Sequence, residues 1–348
     1  MPKPQLTIAL SGINAVDNPG PGVGVARSLK EDPDIQARII GLAYDAMEPG
    51  IYMDWVVDKS YIMPYPSGDG DAYFERLAFI RDQHGIDFLI PNFDAELPLY
   101  IKRASKLAEA GFKTFLPTME QFKLRGKDKL PEVAERIDIG LPKTRVVSSL
   151  DQFAAAIEEI KLPVMVKGSF YKAYRAYTFA EAIGHYHALV AEWGYPIIVQ
   201  EIVAGEELNV IGVGDGAGGS LGLVGIKKMS VTALGKIWTG VTIKHAAMLE
   251  ATQRFIREYR WRGPFELECI VRDKDVFLIE INPRFPAWVY FATGVGVNLP
   301  ARMVRHCLGL PVPPTPDYEA GKLFVRYTYE LVTDMSTFQK AITRGEAP

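Results

Sequence analysis

Residues 276–287, VFLIEINPRFPA, place an acid, an amide and a guanidinium at alternate positions: Glu280, Asn282 and Arg284. On an extended strand, residues two apart project from the same face. A carboxylate and an amide oxygen presented together suit a hard divalent cation such as Mg²⁺, which prefers oxygen ligands. The preceding segment FELECIV (265–271) lies across a short turn at 273–275. A register about Lys274 sets Glu268 opposite Glu280, with Glu266 as the reserve acid on the same face. These acids interrupt runs of Phe, Leu, Cys, Ile and Val, where an unpaired carboxylate is costly. A merely solvated acidic face does not explain that placement.

Other chemistry-bearing segments lie upstream. Asp128 and Lys129 are followed by GLPKTRVV (140–147), LPVMVKGS (162–169) ends a strand pattern in Lys167, and VQEIVAGEELNV occupies 199–210. Taken singly, Lys129 and Lys167 read as exposed lysines. Taken together with E-I-N-P-R, the series resembles the ATP-grasp superfamily, in order and at family-like spacing over residues 119–310. The resemblance implies that Lys129 and Lys167 hold the nucleotide phosphates with Ser169 beside them. Glu201, Ile202 and Val203 then form the adenine hinge, and Glu207 meets the ribose hydroxyls. Glu268, Glu280 and Asn282 become the ligands of Mg²⁺ or Mn²⁺. Arg284 faces the transferred phosphoryl group or the substrate carboxylate. Lys228, in GIKKMSVTALGKIWTG (225–240), points toward the acyl-phosphate or the substrate, with Lys227 on the opposite face.

Two departures stand out. Gly168 replaces the family's usual proline, and the following loop, GSFYKAYRAYT (168–178), is aromatic where relatives are Gly/Ser-rich. Lys172 and Arg175 are then candidate side-chain donors in place of backbone N–H groups. The implied activity is carboxylate–amine ligation: ATP phosphorylates a small carboxylate, and an amine attacks the acyl-phosphate. The substrates are expected to be amino acids or peptides, and a homodimer is compatible with this reading. The alternatives are carbamoyl-phosphate or carboxylase-type chemistry, and a nucleotide-binding relative without turnover. No biotin-carrier motif or glutaminase domain is legible.

The elements needed to position these residues follow from patterning. Short apolar runs at 6–10, 37–43 and 87–91 alternate with helical spacing at 25–32 and 72–85. Such alternation predicts parallel strands buried on both faces, here a Rossmann-like α/β domain over 1–118. Thr118 opens a second block, and SSLDQFAAAIEEI (148–160) and FAEAIGHYHALVAEW (179–193) mark two helices. From Pro196 strands dominate, with turns at GDGAGGS (214–220) and at 272–275, and one helix over 246–261. The resemblance then implies a small lid subdomain at 119–195 and an antiparallel metal-binding sheet at 196–310, followed by a C-terminal segment at 311–348. PVPPTP (311–316) reads as a stiff linker. The fold class is α/β (α+β).

The bulk numbers exclude several classes. The 348 residues are 48% hydrophobic and 23% charged, an ordinary globular composition. Lys plus Arg, 39, against Asp plus Glu, 42, leaves a net charge of −3, without the basic excess of a nucleic-acid or membrane-surface binder. The N-terminal apolar run is about six residues, far below a signal-peptide core or the ~20 of a membrane span. Two cysteines, Cys269 and Cys307, sit among apolar neighbours and read as buried, reduced thiols of a cytoplasmic protein. Gly20, Gly22 and Gly24 follow a strand and precede a helix, with Asp45 downstream, but G-x-G-x-G is not the dinucleotide fingerprint. A Gly/Pro-rich loop capping a strand is the simpler reading. His185, His187 and His245 show no ligand or catalytic pattern.

Overall fold

A computed structural model describes residues 3–14, 19–168, 172–232 and 235–347. The chain divides into two compact units: Met1–Arg125 with Asn209–Leu267 and Ile281–Pro348, and Gly126–Leu208 with Glu268–Glu280.

In the first unit, strands β1 (Gln5–Ser11), β2 (Gln36–Ala43), β3 (Lys59–Ile62) and β4 (Phe88–Ile90) are parallel. Their order is β3-β2-β1-β4, and the short strand Glu346–Ala347 adds antiparallel to β3. Alternate residues feed two apolar clusters. Ile8, Leu10 and Ile39 enter one, and Ala9, Ile40 and Leu42 the other, all fully buried. That is why these strands read as continuous apolar runs. Helix Gly70–His84 starts at Asp69, whose side chain accepts from the Asp71 N–H, and stops at Gly85 with φ 66°. Only a left-handed residue closes the helix there, and glycine adopts that conformation without a Cβ penalty. Thr118 and Gln121 form a reciprocal capping box on helix Met119–Lys123.

The second unit carries strands β5 (Thr144–Val147), β6 (Val164–Lys167), β7 (Ala173–Ala176) and β8 (Ile197–Glu201), ordered β5-β8-β6-β7 and antiparallel. Helices Leu150–Ile160 and Phe179–Trp193 bury Phe153, Ile157, Tyr186 and Leu189 against Val164, Val166, Ile197 and Val199. Ser149 and Thr178 cap their N-termini. The sequence groups strand 197–201 with the strands after it. The structure instead places β8 between β5 and β6, because its alternating Ile197 and Val199 complete this helical core.

Strands β9 (Glu206–Asp215), β10 (Ser220–Val231), β11 (Ile237–Ile243), β12 (Arg262–Arg272), β13 (Asp275–Asn282) and β14 (Leu323–Val325) make a six-stranded sheet ordered β13-β12-β9-β10-β11-β14. Strands β9, β12 and β13 each run from one unit into the other. Beyond the proline-rich segment the chain returns to add β14 antiparallel to β11, then helix Met335–Arg344. Within the second unit Gly140 grips the β12–β13 hairpin: its N–H donates to Val276 O at 2.7 Å and its carbonyl accepts from Leu278 N at 2.9 Å. Cys269 is buried as expected, whereas Cys307 is only half-buried, 3.7 Å from Thr114 O, near the end of a helix rather than inside the core. No helix among the described residues is long and apolar enough to cross a membrane.

Candidate active site

On β6 of the second unit, Val164 and Val166 face the helices, which leaves Met165 and Lys167 on the other face. Lys167 is 9% exposed, and its Nζ donates to Gln200 Oε1 at 2.6 Å. Gln200, on the same face of β8, is fixed in turn by donating Nε2 to Thr144 Oγ1 at 2.9 Å. Burial pulls the Lys167 ammonium down to about 8, and the Lys127 charge adds to this. The carboxylates of Glu280, Glu268 and Glu207 oppose it. Three acids expected at the nucleotide and metal positions therefore share one electrostatic environment with the expected phosphate lysine. Glu268 and Glu280 are half-buried and Glu207 is exposed.

The lysine whose charge Lys167 feels is Lys127. Lys129 lies half-exposed, 3.8 Å from its neighbour Asp128. The K-x-K spacing in GKDK was the available signal for Lys127. At the expected hinge, the Glu201 N–H donates to Lys143 O at 2.8 Å, and Glu201 Oε2 accepts from Lys143 N at 3.1 Å. Ile202 and Val203 lie just past the end of β8. Gly205 packs so tightly on β12 that a Cβ there would sit 2.6 Å from Val271 O, which accounts for the glycine before Glu206 and Glu207. Ser169 lies outside the described residues. Lys172 is paired with Glu192 at 2.7 Å on the surface, and Tyr174 stacks on His185 with centroids 4.7 Å apart.

The first unit gathers a second polar cluster. Glu266, 4% exposed, accepts from Asn209 Nδ2 and Trp288 Nε1, each at 2.7 Å, and from Asn282 Nδ2 at 3.1 Å. The opposition of Glu266 and Asn282 fits a hairpin register about Lys274. Asn282 Oδ1 accepts from Arg284 Nη2 at 3.1 Å, and Arg284 Nε donates to Asp94 Oδ2 at 3.3 Å. Arg125 Nη1 lies 3.4 Å from the other Asp94 oxygen. Glu266, the reserve acid in the sequence, is here the buried centre of a hydrogen-bond network.

Lys228 sits half-buried on β10 opposite Gly240, with Lys227 opposite Val241. The lysine that senses Arg284 is Lys236, in the turn before β11. Its Nζ donates to Pro19 O at 2.6 Å. Burial first, then the Arg284 and Arg326 charges, pull it down to about 8, against Asp94 and Glu266. Arg326 donates Nη2 to Ala287 O at 2.9 Å. Neither Lys236 nor Arg326 carries a local motif, so their convergence was not legible in the sequence.

The N-terminal glycines serve close packing. A Cβ on Gly22 would meet Ser11 O at 2.3 Å, and one on Gly24 would meet Val289 at 3.0 Å. Asp45 is exposed and accepts from Met47 N at 2.7 Å. His245 caps helix Ala246–Tyr259 by accepting from the Met248 N–H, a structural role. Among the described residues no three His, Cys, Asp or Glu side chains gather as a metal cluster.

No family model matches the chain. It is similar to solved structures over most of its length. An N5-carboxyaminoimidazole ribonucleotide synthetase in complex with ADP superposes with a TM-score of 0.68 at 15% identity, covering 91% of this chain and 81% of that one. The biotin carboxylase domain of the Hydrogenobacter thermophilus 2-oxoglutarate carboxylase gives 0.67 at 16%, covering 91% and 73%. Phosphoribosylglycinamide synthetase from Anaerococcus prevotii gives 0.62 at 14%, covering 92% and 80%. These are ATP-grasp enzymes, and their fold matches the mixed α/β architecture with several sheets described above. The chain has the fold of the ATP-grasp superfamily.

Proposed function

We propose that the protein is an ATP-dependent ligase that activates a small carboxylate as an acyl-phosphate for attack by an amine. The observation that carries this reading is Lys167: a buried ammonium held by the neutral Gln200 and surrounded at longer range by Glu207, Glu268 and Glu280. A polyphosphate supplies the anionic partner that Gln200 is not, and its arrival favours the charged form of the lysine. Lys167 with Lys127 or Lys129 holds the phosphates, Ser169 assists, and Glu207 takes the ribose hydroxyls. The Glu201 carbonyl and the N–H groups of Ile202 or Val203 read adenine. ADP and its magnesium salt in similar structures support the nucleotide assignment.

The donor set fits Mg²⁺ or Mn²⁺. Glu268 and Glu280 offer two half-buried carboxylates, and Asn282 an amide oxygen with one lone pair engaged by Arg284. Such an ion takes its remaining ligands from phosphate and water, so three acidic side chains are not required. When bound, it neutralises charge on the β- and γ-phosphates. Arg284, held by Asp94 and Asn282, presents a fixed guanidinium to the oxygens of the transferred phosphoryl group. Lys236 and Arg326, with Lys228 on the neighbouring strand, supply the cationic surroundings a carboxylate needs. The substrate carboxylate attacks the γ-phosphorus and ADP leaves. The amine then attacks the acyl carbon, releasing phosphate and a proton. No enzyme nucleophile takes part.

A second reading makes bicarbonate the acid. The carboxylases among the similar structures, one described with bicarbonate, favour it. One assay separates the two: ADP release measured with a panel of amino acids, small peptides and bicarbonate as acid, each with and without amines. Release that depends on an organic acid and an amine supports ligation. Release with bicarbonate alone moves the reaction to carboxylation. No release with any pairing, despite Mg·ATP binding, leaves a nucleotide binder and overturns both. The half-buried and buried thiols, both unpaired, fit the cytoplasm as the place of such an enzyme.

A further inference from the structure

Strand β14 stands at one end of the six-stranded sheet, and β11 is its only neighbour among the described strands. The Thr242 N–H donates to Lys322 O and the Arg326 N–H to Trp238 O, each at 2.9 Å, and Phe324 lies opposite Gly240 between them. Backbone groups alternate along a strand, so the N–H and C=O of Leu323 and Val325 point away from β11, to the open edge. The side chains alternate as well. Phe324 packs on Phe291 with ring centroids 5.3 Å apart, and Arg326 donates Nη2 to Ala287 O. Leu323 and Val325 take the other face, and the same alternation continues in Tyr327 and Tyr329. These four are 60, 56, 76 and 70% exposed.

This segment is richer in strand character than the pairing within the chain uses. LFVRYTYEL (323–331) carries aromatic and β-branched residues with apolar side chains at every second position, yet only Leu323–Val325 are paired. Exposed apolar edges of this kind invite another chain unless charge, proline or a covering segment blunts them. Tyr329 meets Trp55 edge-on at 6.2 Å and still stays mostly exposed. The segment is also complementary to itself. Lys322 and Glu330 stand four residues to either side of Arg326, and Val325 and Leu323 mirror Tyr327 and Tyr329. An antiparallel copy centred on Arg326 sets Val325 opposite Tyr327, Leu323 opposite Tyr329 and Lys322 opposite Glu330, each twice. Aliphatic–aromatic and opposite-charge pairs are the ones that stabilise adjoining strands. The Arg326 guanidinium at the centre is drawn back to Ala287 O within its own copy. The four apolar side chains expose roughly 300–500 Å² per copy. Two copies, with their paired backbones and flanking polar residues, pass the roughly 1,000 Å² that a specific interface needs.

We infer that the open edge of β14 pairs antiparallel with the same edge of a second copy of this chain, prolonging the strand through Tyr329 and joining two six-stranded sheets into one. The two-fold puts one patch on both sides of the contact, so the assembly closes as a dimer and does not propagate. The N–H and C=O groups that Leu323 and Val325 direct outward find their partners in the second copy, as in strand addition to a sheet edge. A foreign peptide could use the same edge, but it has no reason to match the mirrored order of Lys322, the two aliphatics, the two tyrosines and Glu330. The inference is independent of the ligase reading.

Sedimentation velocity of the full chain over a micromolar concentration series tests the assembly, and oxidative cross-linking tests its register. The wild type is expected to sediment as a dimer. Tyr327→Lys and Val325→Lys should each raise the dissociation constant by roughly tenfold to a hundredfold, because an aromatic contact worth about three- to tenfold is lost twice. Both positions are exposed, so the melting temperature of each variant should match that of the monomeric chain. Paired residues of a hydrogen-bonded antiparallel pair have Cα atoms about 5.5 Å apart, within reach of a disulfide. An equimolar mixture of Val325→Cys and Tyr327→Cys should therefore give a disulfide-linked dimer on oxidation, in excess of either variant alone and of the wild type with its own two cysteines. A wild type that stays monomeric throughout the series overturns the inference. So does a dimer that both lysine variants leave intact, which would join the copies by another face. Cross-linking of either variant alone as readily as the mixture overturns the pairing about Arg326. A monomer that takes up an unrelated extended peptide along β14 gives the edge to a foreign partner and overturns it as well.

Discussion

The Lys167 ammonium is bonded at 2.6 Å to the amide oxygen of Gln200, a buried cation whose closest partner is neutral. If phosphates complete this site, ATP should raise the melting temperature through linkage. Lys167→Ala should then weaken ATP by roughly tenfold or more, as expected for losing a hydrogen bond to a charged group. Glu207→Ala should give a smaller loss. Thermal-shift titrations decide it, and an ATP response unchanged in Lys167→Ala would remove the lysine from the site.

The same residue makes stability depend on pH. Its folded value, about 8, lies below its ordinary 10.5, so between those limits the unfolded chain holds a proton that the native chain lacks. Lys167 therefore adds stability as pH rises through that window, an addition complete above the unfolded value and lost as pH falls through 8. Denaturant melts of wild type and Lys167→Met from pH 7 to 10 should show the wild type gaining on the variant as pH rises. Parallel profiles would mean that the ammonium is not desolvated.

Among the proposed metal ligands, Glu280→Gln is the clean substitution. Half-buried Glu280 should lose turnover without losing the fold, and added Mg²⁺ should rescue little, because charge is lost as well as coordination. Asn282→Ala should lose turnover and stability together, since it strips a donor from Glu266 and an acceptor from Arg284. Near-normal ADP release by Glu280→Gln would end the metal assignment.

Glu266 accepts from Asn209, Asn282 and Trp288, every one a donor. Glu266→Gln turns one acceptor into a donor facing donors. The expected loss is about 2–3 kcal/mol, the cost of breaking a buried hydrogen-bonded carboxylate. Equilibrium unfolding measures it, and an unchanged midpoint would contradict the network.

Arg284 uses three donors at once: Nε to Asp94, Nη2 to Asn282 and Nη1 to Phe285 O. Lysine keeps the charge but cannot reproduce that planar fork. Arg284→Lys should leave ATP affinity near normal and cut turnover by roughly 10²-fold, the scale of one preorganised electrostatic donor. Equal rates in variant and wild type would place Arg284 outside the reaction.

Much of this was legible in the residues themselves. Short continuous apolar runs foretold β1, β2 and β4, and Thr118 and the serines at 148–149 marked helix starts, because each rule is local. The pairing of β8 was not legible, since its Ile-rich pattern suits either sheet and only the Phe153 and Tyr186 packing selects one. Lys127, Lys236 and Arg326 escaped for a related reason: their roles rest on charges distant in sequence.

The grip of Gly140 on Val276 and Leu278 means that the smaller unit is not a detachable stretch of polypeptide. It is assembled from 126–208 and from a hairpin tip, 268–280, whose strands begin and end elsewhere. Cutting the chain at 208 would orphan that tip, and grafting 126–208 alone into a relative would leave Gly140 without its partner. The acids at 268 and 280 and the lysine at 167 are thus inherited as one piece only when the interleaved segments travel together.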